Sequence, residues 1–307
     1  MMNRRDFSAL TLLALAASGA RAAPEKAGVG VPAELHRQIA ARLREIERGS
    51  LGRLGVQVFD TATGATFGHR ADERFLMCST FKLLASALVL HRVDRGQESL
   101  DRRIVFGRAD LVAHSPVTEK HVGGNGLSLG ELCEATITTS DNAAANLILA
   151  SYGGPRAFTA FARAIGDTVT RLDRIEPALN SWRGPISDTT SPRAMLASLQ
   201  RVALGDALKP ASRDTLQRWL RANTTGETRL KAGLPAGWNI GDKTGASDGD
   251  GSGGTSNDIA VVWPPNRAPL LVTAYLTRSR ASFEARNAAL AQVGGLLPLI
   301  VGSTRFT

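Results

Sequence analysis

Apolar residues recur along this chain with two periods, and the period changes twice. Residues 33–48 carry apolar positions on one helical face and end at a Gly-Ser pair, which is typical of a helix terminus. Residues 54–59 and 65–69 alternate as the two strands of a β-hairpin do. Beyond residue 226 the strand period returns, and the predicted elements are strands 238–246, 258–263 and 270–277 and a final helix 282–300.

The middle of the chain has the period of helices. The predicted helices span 79–95, 127–139, 142–152, 155–165, 191–204 and 211–220. Strands at both ends predict an α/β fold of the α+β sandwich type, with a mostly antiparallel sheet from both chain ends flanked by the terminal helices. An all-α domain, residues 74–221, is expected to be inserted into a discontinuous α/β domain, residues 23–73 and 222–307, with the active site between the two.

The first 22 residues have the composition of an export signal. Arg4 and Arg5 form a twin-arginine pair, an Ala/Leu-rich run covers 9–17, and residues 20–22 read A-R-A, as a cleavage site does. The alternative is a membrane-tethering helix, but the apolar run is too short for a permanent membrane anchor. The sequence therefore predicts a periplasmic protein that is exported by the twin-arginine route and loses residues 1–22.

Composition excludes several classes of function. The chain has 307 residues, of which 43% are hydrophobic and 21% charged, as expected for a globular protein. Its 37 Lys and Arg against 28 Asp and Glu give a formal net charge of +9, but the basic residues are scattered and aromatic residues make up 5%. Nucleic-acid binding is therefore not expected, whereas a small anionic substrate would be attracted. We expect a monomer.

Metal-ligand and disulfide patterns are weak. The five histidines lack the H-x-H and H-E-x-x-H spacings of metal sites, so neither a metal nor another cofactor is predicted. The two cysteines, Cys78 and Cys133, could pair in an exported protein, but sequence does not give their separation.

Ser79 and Lys82 form an S-x-x-K box at the start of a predicted helix. At i and i+3 the hydroxyl and the amine share one helical face, and the hydroxyl lies at the positive end of the helix dipole. A serine becomes a good nucleophile when a neighbouring base takes its proton. Ser is also a common N-cap, so the box alone leaves an ordinary helix start open.

Three further boxes follow, each weak alone. S-D-N at 140–142 lies between two predicted helices and could be an N-cap. E-x-x-L-N at 176–180 lies in an irregular stretch and could be a solvated loop. K-T-G at 243–245 ends a strand, where it offers donors for a carboxylate and a glycine that leaves room for a ligand, or makes an ordinary turn. The segment 249–254 matches G-x-G-x-x-G, but a strand follows it where a dinucleotide site needs a helix.

In this order the four boxes are far more specific than any one of them. The sequence resembles the class A serine β-lactamases, in which three of these boxes carry the active site. The resemblance covers the mature chain, including S-P-V-T-E-K at 115–120 and N-T-T-G at 223–226. It implies a hydrolase that opens the lactam amide of penicillins and cephalosporins and confers β-lactam resistance.

The resemblance also implies a role for each box. Ser79 would attack the lactam carbonyl to form an acyl-enzyme, and either Lys82 or Glu176 would take its proton. Ser140 would pass a proton to the departing nitrogen. The implied substrate contacts are the N–H groups of Ser79 and Ala246 for the oxyanion, Asn142 for the acylamide side chain, and Lys243 and Thr244, with Gly245 beside them, for the carboxylate.

Glu176 distinguishes this function from its rivals. With Asn180 beside it, its carboxylate would hold and activate the water that hydrolyses the acyl-enzyme. A penicillin-binding DD-peptidase or a β-lactam-sensing domain acylates without turnover, and a glutaminase shares the S-x-x-K serine but has no need of this water site.

Some positions depart from the family pattern. Arg229 resembles the arginine that supports the carboxylate site in one branch of the family. The other branch carries its arginine on the strand after K-T-G, and here that stretch, 255–262, has no arginine. His114 occupies a substrate-facing cleft position that is usually aromatic. The family's usual partner positions for the two cysteines hold Ser86 and Ser247, so both thiols are expected to be free.

Overall fold

The computed structural model describes residues 32–249 and 251–303, so the predicted signal peptide lies outside the described residues. The strands are β1 (Arg53–Asp60), β2 (Thr66–His69), β3 (Phe75–Leu76), β4 (Arg103–Ile104), β5 (Leu127–Ser128), β6 (Thr189–Thr190), β7 (Asn239–Ser247), β8 (Gly254–Trp263) and β9 (Leu270–Ser279). The α-helices are α1 (Ala33–Gly49), α2 (Phe81–Asp94), α3 (Leu129–Thr138), α4 (Asn142–Ser151), α5 (Gly154–Ala164), α6 (Pro192–Ala203), α7 (Pro210–Arg221), α8 (Phe283–Gly294) and α9 (Leu297–Ser303).

Five strands from the two ends of the chain form one antiparallel sheet in the order β2-β1-β9-β8-β7. β1 pairs with β9, with Leu54 opposite Leu276, and β7 pairs with β8, with Thr244 opposite Asp258. The predicted fold class is confirmed. Among the described strands none pairs with the outer side of β7, so half of its backbone groups point away from the sheet.

The sheet separates two hydrophobic cores. On one face Leu54 packs with Leu290 of α8 and with the apolar stripe of α1. On the other face Val261 and Tyr275 pack with the helices around α2. Because successive strand residues point to opposite faces, β8 is apolar at every position from 259 to 262 instead of alternating.

α2 is the central helix of the helical part. Its residues 81–90 are all buried, and α3, α4, α5, α6 and α7 pack around it. A helix that is apolar on every side is stable only in such surroundings. Lys82, in its first turn, is the exception, and its buried ammonium needs polar partners. The bounds of the two predicted domains stay a prediction.

Three predicted elements have wrong bounds. Ser79 lies in a 3₁₀ turn, Cys78–Thr80, and α2 begins only at Phe81. The final helix is two helices, because the glycines at 294 and 295 end α8 and Pro298, which has no N–H to donate, lies in the first turn of α9. β8 begins four residues earlier than predicted, at Gly254.

The short pairs β3–β6 and β4–β5 were not predicted, because two residues carry no period. The other ends differ by one or two residues, as helix and strand ends commonly do. Within the described residues no helix has the length and apolar character that crossing a membrane requires.

Candidate active site

A cleft of about 440 Å³ lies beside β7 and the first turn of α2. Most of the residues that line it have polar or charged side chains, which can give a ligand directed hydrogen bonds. The lining residues are Ser79, His114, Ser140, Asn142, Asn180, Thr225, Arg229, Thr244, Gly245, Ala246, Ser247, Asp248 and Phe283. The structure therefore brings residues from all four sequence boxes to one place.

The turn that carries Ser79 is held in an uncommon backbone conformation. Cys78 has φ = 44°, in the left-handed region that non-glycine residues rarely occupy and that is found most often at functional sites. β7 approaches this turn closely at Gly245, where a side chain would meet Met77 O at 2.8 Å and Ser79 N at 3.1 Å. The glycine of K-T-G is thus required by packing against the serine.

Lys82 is fully buried, and its ammonium group is surrounded by acceptors. Nζ lies 3.1 Å from Glu176 Oε1, and it donates to Ser140 O at 2.8 Å, to Ser140 Oγ at 3.3 Å and to Asn142 Oδ1. Burial lowers the pKa of Lys82, against the opposing effect of the Glu176 carboxylate. Lys82 is thus positioned to exchange protons with groups on both sides.

Glu176 contacts the serine and the lysine with the same oxygen. Ser79 Oγ donates to Glu176 Oε1 at 3.2 Å, and Asn180 Nδ2 donates to Oε2 at 2.5 Å. Among the described hydrogen bonds Ser79 Oγ donates to this carboxylate and not to Lys82. The base that is hydrogen-bonded to the serine is therefore Glu176, whose peptide bond to Pro177 is cis.

Asn146 fixes the backbone of Glu176, and sequence reasoning missed it. Its Oδ1 accepts from Glu176 N at 2.9 Å and its Nδ2 donates to Glu176 O at 3.0 Å. Asn146 lies one turn after Asn142 on α4, so both amides face the same side of the helix. That i, i+4 spacing within the predicted helix was the available signal.

The loop around Glu176 is held at two further points. Buried Asp188 accepts from the N–H groups of Asp173 and Arg174 at 2.8 and 2.9 Å and forms an ion pair with Arg174. Ser247 Oγ of β7 donates to Asn180 O at 2.9 Å. The loop is therefore tied both to itself and to the sheet.

Ser140 lies between two lysines. Its Oγ accepts from Lys82 Nζ at 3.3 Å and from Lys243 Nζ at 3.1 Å. Ser140 also has a left-handed backbone, with φ = 60°. Burial, together with nearby Lys82, lowers the pKa of Lys243 well below its usual range. The hydroxyl thus connects the two amines in one chain of hydrogen bonds.

The other end of the cleft carries hydroxyl groups and a guanidinium. Thr244 Oγ1 and Thr225 Oγ1 are 2.5 Å apart. Arg229 donates from Nη1 to Gly245 O at 2.9 Å and to Asn257 O at 2.6 Å, and burial lowers the pKa of this arginine. These groups therefore lie together at one end of the cleft.

A pair of buried carboxyl groups lies behind this end, and sequence reasoning missed it. Asp242 accepts from Asn223 Nδ2 at 2.6 Å and Asp258 from Leu230 N at 3.2 Å, and the negative charge of Asp242 favours the protonated form of Asp258. Burial raises the pKa of Asp242 to about 6 and raises that of Asp258 well above its usual range. Lys243, the next residue along β7, opposes the rise in the pKa of Asp242.

One wall of the cleft is formed by His114 and Asn142. Asn142 N donates to His114 O at 2.9 Å, Asn142 Nδ2 donates to Ala113 O at 2.8 Å, and the His114 ring contacts Thr139 O at 3.0 Å. These bonds fix the orientation of the Asn142 amide.

Cys78 and Cys133 are both buried, and neither is in a disulfide. Burial raises the pKa of each thiol, which makes both poor nucleophiles. Among the described residues no group of three His, Cys, Asp or Glu side chains is placed to hold a metal ion.

Solved structures that match this chain include class A β-lactamases. An ancestral (GNCA) class A β-lactamase is 59% identical, with a TM-score of 0.83, over 86% of this chain and 100% of that one. The putative class A β-lactamase PenP from Rhodopseudomonas palustris is 57% identical, with a TM-score of 0.82, over 86% of this chain and 99% of that one.

The sequence relatives are β-lactamases as well. β-Lactamase L2 of Stenotrophomonas maltophilia is 45% identical over 98% of this chain and 100% of its own length. A β-lactamase of Streptomyces albus G is 51% identical over 76% of this chain and 74% of its own length. The model of the β-lactamase enzyme family matches residues 37–298, and the chain belongs to this family.

Proposed function

We propose that this protein hydrolyses β-lactam antibiotics, penicillins and cephalosporins among them, through a covalent acyl-enzyme on Ser79, and that it thereby confers resistance. The observation that carries the proposal is the position of Glu176, whose Oε1 lies 3.2 Å from Ser79 Oγ while Asn180 holds the other oxygen. A carboxylate there can serve both the attack of the serine and the later attack of water.

In acylation, Ser79 Oγ forms a bond to the lactam carbonyl carbon as its proton leaves. The direct hydrogen bond to Glu176 Oε1 supports Glu176 as the acceptor. Lys82 is the second candidate, because burial lowers its pKa and its Nζ lies 3.1 Å from the same oxygen. Either base would activate a serine that is otherwise a weak nucleophile.

The oxyanion would be bound by the backbone N–H groups of Ser79 and Ala246. The close approach of Gly245 to Ser79 N supports this assignment, since it brings the following residue of β7 next to the nucleophile. Removal of one such preorganised donor costs about 3–4 kcal/mol of transition-state stabilisation.

Opening of the ring needs a proton on the departing nitrogen. Ser140 Oγ, which accepts from Lys82 at 3.3 Å and from Lys243 at 3.1 Å, would donate its own proton to the nitrogen and be reprotonated by an amine. The substrate carboxylate would bind Thr244 and Lys243, with Arg229 supporting its negative charge. Binding there places the lactam beside Ser79.

The acylamide side chain would lie along the opposite wall. Asn142 has its amide oriented by hydrogen bonds to Lys82 and Ala113 O, which favours a fixed polar contact over a flexible one. His114 would contact the same substituent from the rim.

Deacylation distinguishes a hydrolase from a protein that only acylates. Asn180 Oδ1 is buried and accepts no hydrogen bond from the described residues, while its Nδ2 is bound to Glu176. A water between these two side chains would donate one proton to each and point its oxygen at the ester. This arrangement favours turnover over the stalled acyl-enzyme of a DD-peptidase or a sensing domain.

We further propose export to the periplasm by the twin-arginine route, loss of residues 1–22, and action as a monomer. The support for export is the twin-arginine pair, apolar run and A-R-A site in the sequence.

The test is hydrolysis of a chromogenic cephalosporin by purified protein lacking residues 1–22. We expect many turnovers per enzyme molecule, whereas a single stoichiometric burst would refute hydrolysis and identify a DD-peptidase or sensor.

Replacing Glu176 with alanine should leave acylation measurable but make a covalent adduct accumulate, with kcat reduced about 10²–10⁴-fold. Exposed Glu119 offers a matched control, and Glu119→Ala should turn over at the wild-type rate. Wild-type turnover without adduct in the Glu176 variant, by mass spectrometry, contradicts the assigned role.

A further inference from the structure

Phe283, the first residue of α8, is the one large apolar side chain among the described residues that line the cleft. It is 42% exposed, although burial of an aromatic ring is usually favourable. The other lining residues have polar or charged side chains, except for one glycine and one alanine. An exposed ring at the edge of a polar cleft is typical of a surface that is covered when ligand binds.

The ring is held in place by two arginines that are themselves buried. The guanidinium carbon of Arg229 lies over the Phe283 ring at 5.7 Å from its centroid, and that of Arg286 at 5.6 Å. Arg229 is 4% exposed and Arg286 5%. Such cation–π contacts fix the ring without covering it.

Arg286 in turn is fixed by its own contacts. It donates to Ser256 Oγ at 3.3 Å and to Ala281 O at 3.2 Å, and it forms an ion pair with Asp248 at 3.4 Å. The guanidinium group of Arg286 lies directly against Gly254. A Cβ at position 254 would be 1.9 Å from Arg286 Nη1, so only glycine leaves room for it. Phe283 is therefore a preorganised surface rather than a mobile side chain.

The location of the ring defines what it can contact. Phe283 adjoins Arg229, and Arg229 donates to Gly245 O beside the hydroxyl groups of Thr244 and Thr225. On the proposed function, on which this inference rests, these groups bind the substrate carboxylate. A substituent on the ring carbon next to the carboxylate-bearing carbon of a cephalosporin would thus be the part of the substrate nearest Phe283.

We propose that Phe283 is a specificity-determining residue that favours β-lactams with an aromatic group at that position. A planar aromatic substituent can pack on the ring edge or face and removes its exposed apolar area from water. A methyl group there covers little of the ring. Penicillins, which have no substituent of this kind, gain nothing from it.

The test uses two cephalosporins that differ only in this substituent, a phenyl or a methyl group joined through carbon. We expect Phe283→Ala to lower kcat/KM about 3- to 10-fold for the phenyl compound and to leave the methyl compound within about 2-fold. Phe283→Leu, which keeps apolar area but no ring, should fall between, and Phe283→Trp should retain the preference. Unfolding midpoints of all variants check that the fold is kept.

Equal changes for the two compounds, or no change for either, overturn the role of Phe283. If the wild-type protein hydrolyses neither compound, the proposed function itself has failed. If it hydrolyses both at rates that ignore the substituent, only this inference has failed.

Discussion

Replacing Asn146 with alanine should slow turnover strongly at a moderate cost in stability. The side chain holds Glu176 at both its N–H, at 2.9 Å, and its C=O, at 3.0 Å. At about 1 kcal/mol for each hydrogen bond, the loss of stability should be about 2 kcal/mol. Glu176 would then be free to move relative to Ser79, and a displacement of about 1 Å can cost about 10²-fold in rate.

The assay combines steady-state kinetics with mass spectrometry of the quenched reaction. We expect kcat to fall about 10²-fold, which corresponds to about 2.7 kcal/mol in the barrier, and the acyl-enzyme to accumulate. Acylation should suffer less if Lys82 can accept the serine proton, so the ratio of the two effects also reports on the base.

Thr159 provides a matched control. Its hydroxyl makes the same reciprocal pair of hydrogen bonds, both at 3.1 Å, with the backbone of Leu172 at the start of the same loop. Thr159→Val should cost a similar stability, about 1–2 kcal/mol, and leave kcat within about 3-fold. If both variants slow turnover equally, or if Asn146→Ala turns over at the wild-type rate without adduct, the assigned position of Asn146 is wrong.

Three further changes test other parts of the site. Gly245→Ala would place a Cβ 2.8 Å from Met77 O. This overpacking should lower the free energy of unfolding in denaturant by about 1–3 kcal/mol and kcat/KM about 10²-fold. A fully active variant would contradict the close approach of β7 to the serine. Ser140→Ala and Ser140→Gly should both lower kcat about 10²–10⁴-fold, because both remove the hydroxyl group. The glycine variant should be the more stable of the two, since φ is 60° at this position and glycine adopts that conformation without strain. Equal stability of the two variants would contradict backbone strain at Ser140. Burial raises the pKa of Asp242 to about 6 from 3.8, so the native state holds this proton more tightly than the unfolded state and stability is lost as the pH rises through 6. Asp242→Asn should remove about 1 kcal/mol of the decline in unfolding free energy between pH 5 and 7, and an unchanged decline would show that this carboxyl is not responsible.

Much of the fold could be predicted from local pattern. The strands at both ends and the helices between them follow from apolar periodicity, because burial of one face of an element leaves its period in the sequence. Where the prediction was wrong, another constraint outweighed periodicity. The apolar pattern of the last helix runs on through the glycines at 294 and 295, but at Gly294 a side chain would lie 2.2 Å from Leu230 O, so packing requires a glycine there.

The site could be predicted in part for a different reason. Short motifs such as S-x-x-K and K-T-G place reactive groups at fixed local spacings, and the structure gathers them into one cleft. Sequence reasoning missed groups that act through long-range contacts. Asn257, for example, donates to the carbonyls of Leu76 and Met77, 181 and 180 residues earlier, and so holds the turn before the serine.

The sequence alone determined which reactive groups are available, namely a serine and a lysine one turn apart and an acidic residue with an asparagine four positions on. It also determined that strands lie at both ends of the chain and helices between them. Tertiary structure decided how those groups are used. It brought Glu176 to 3.2 Å from Ser79 and left Lys82 fully buried among four acceptor atoms. The physical reason is that proton affinity depends on desolvation and on neighbouring charge, and both are set by residues far apart in sequence.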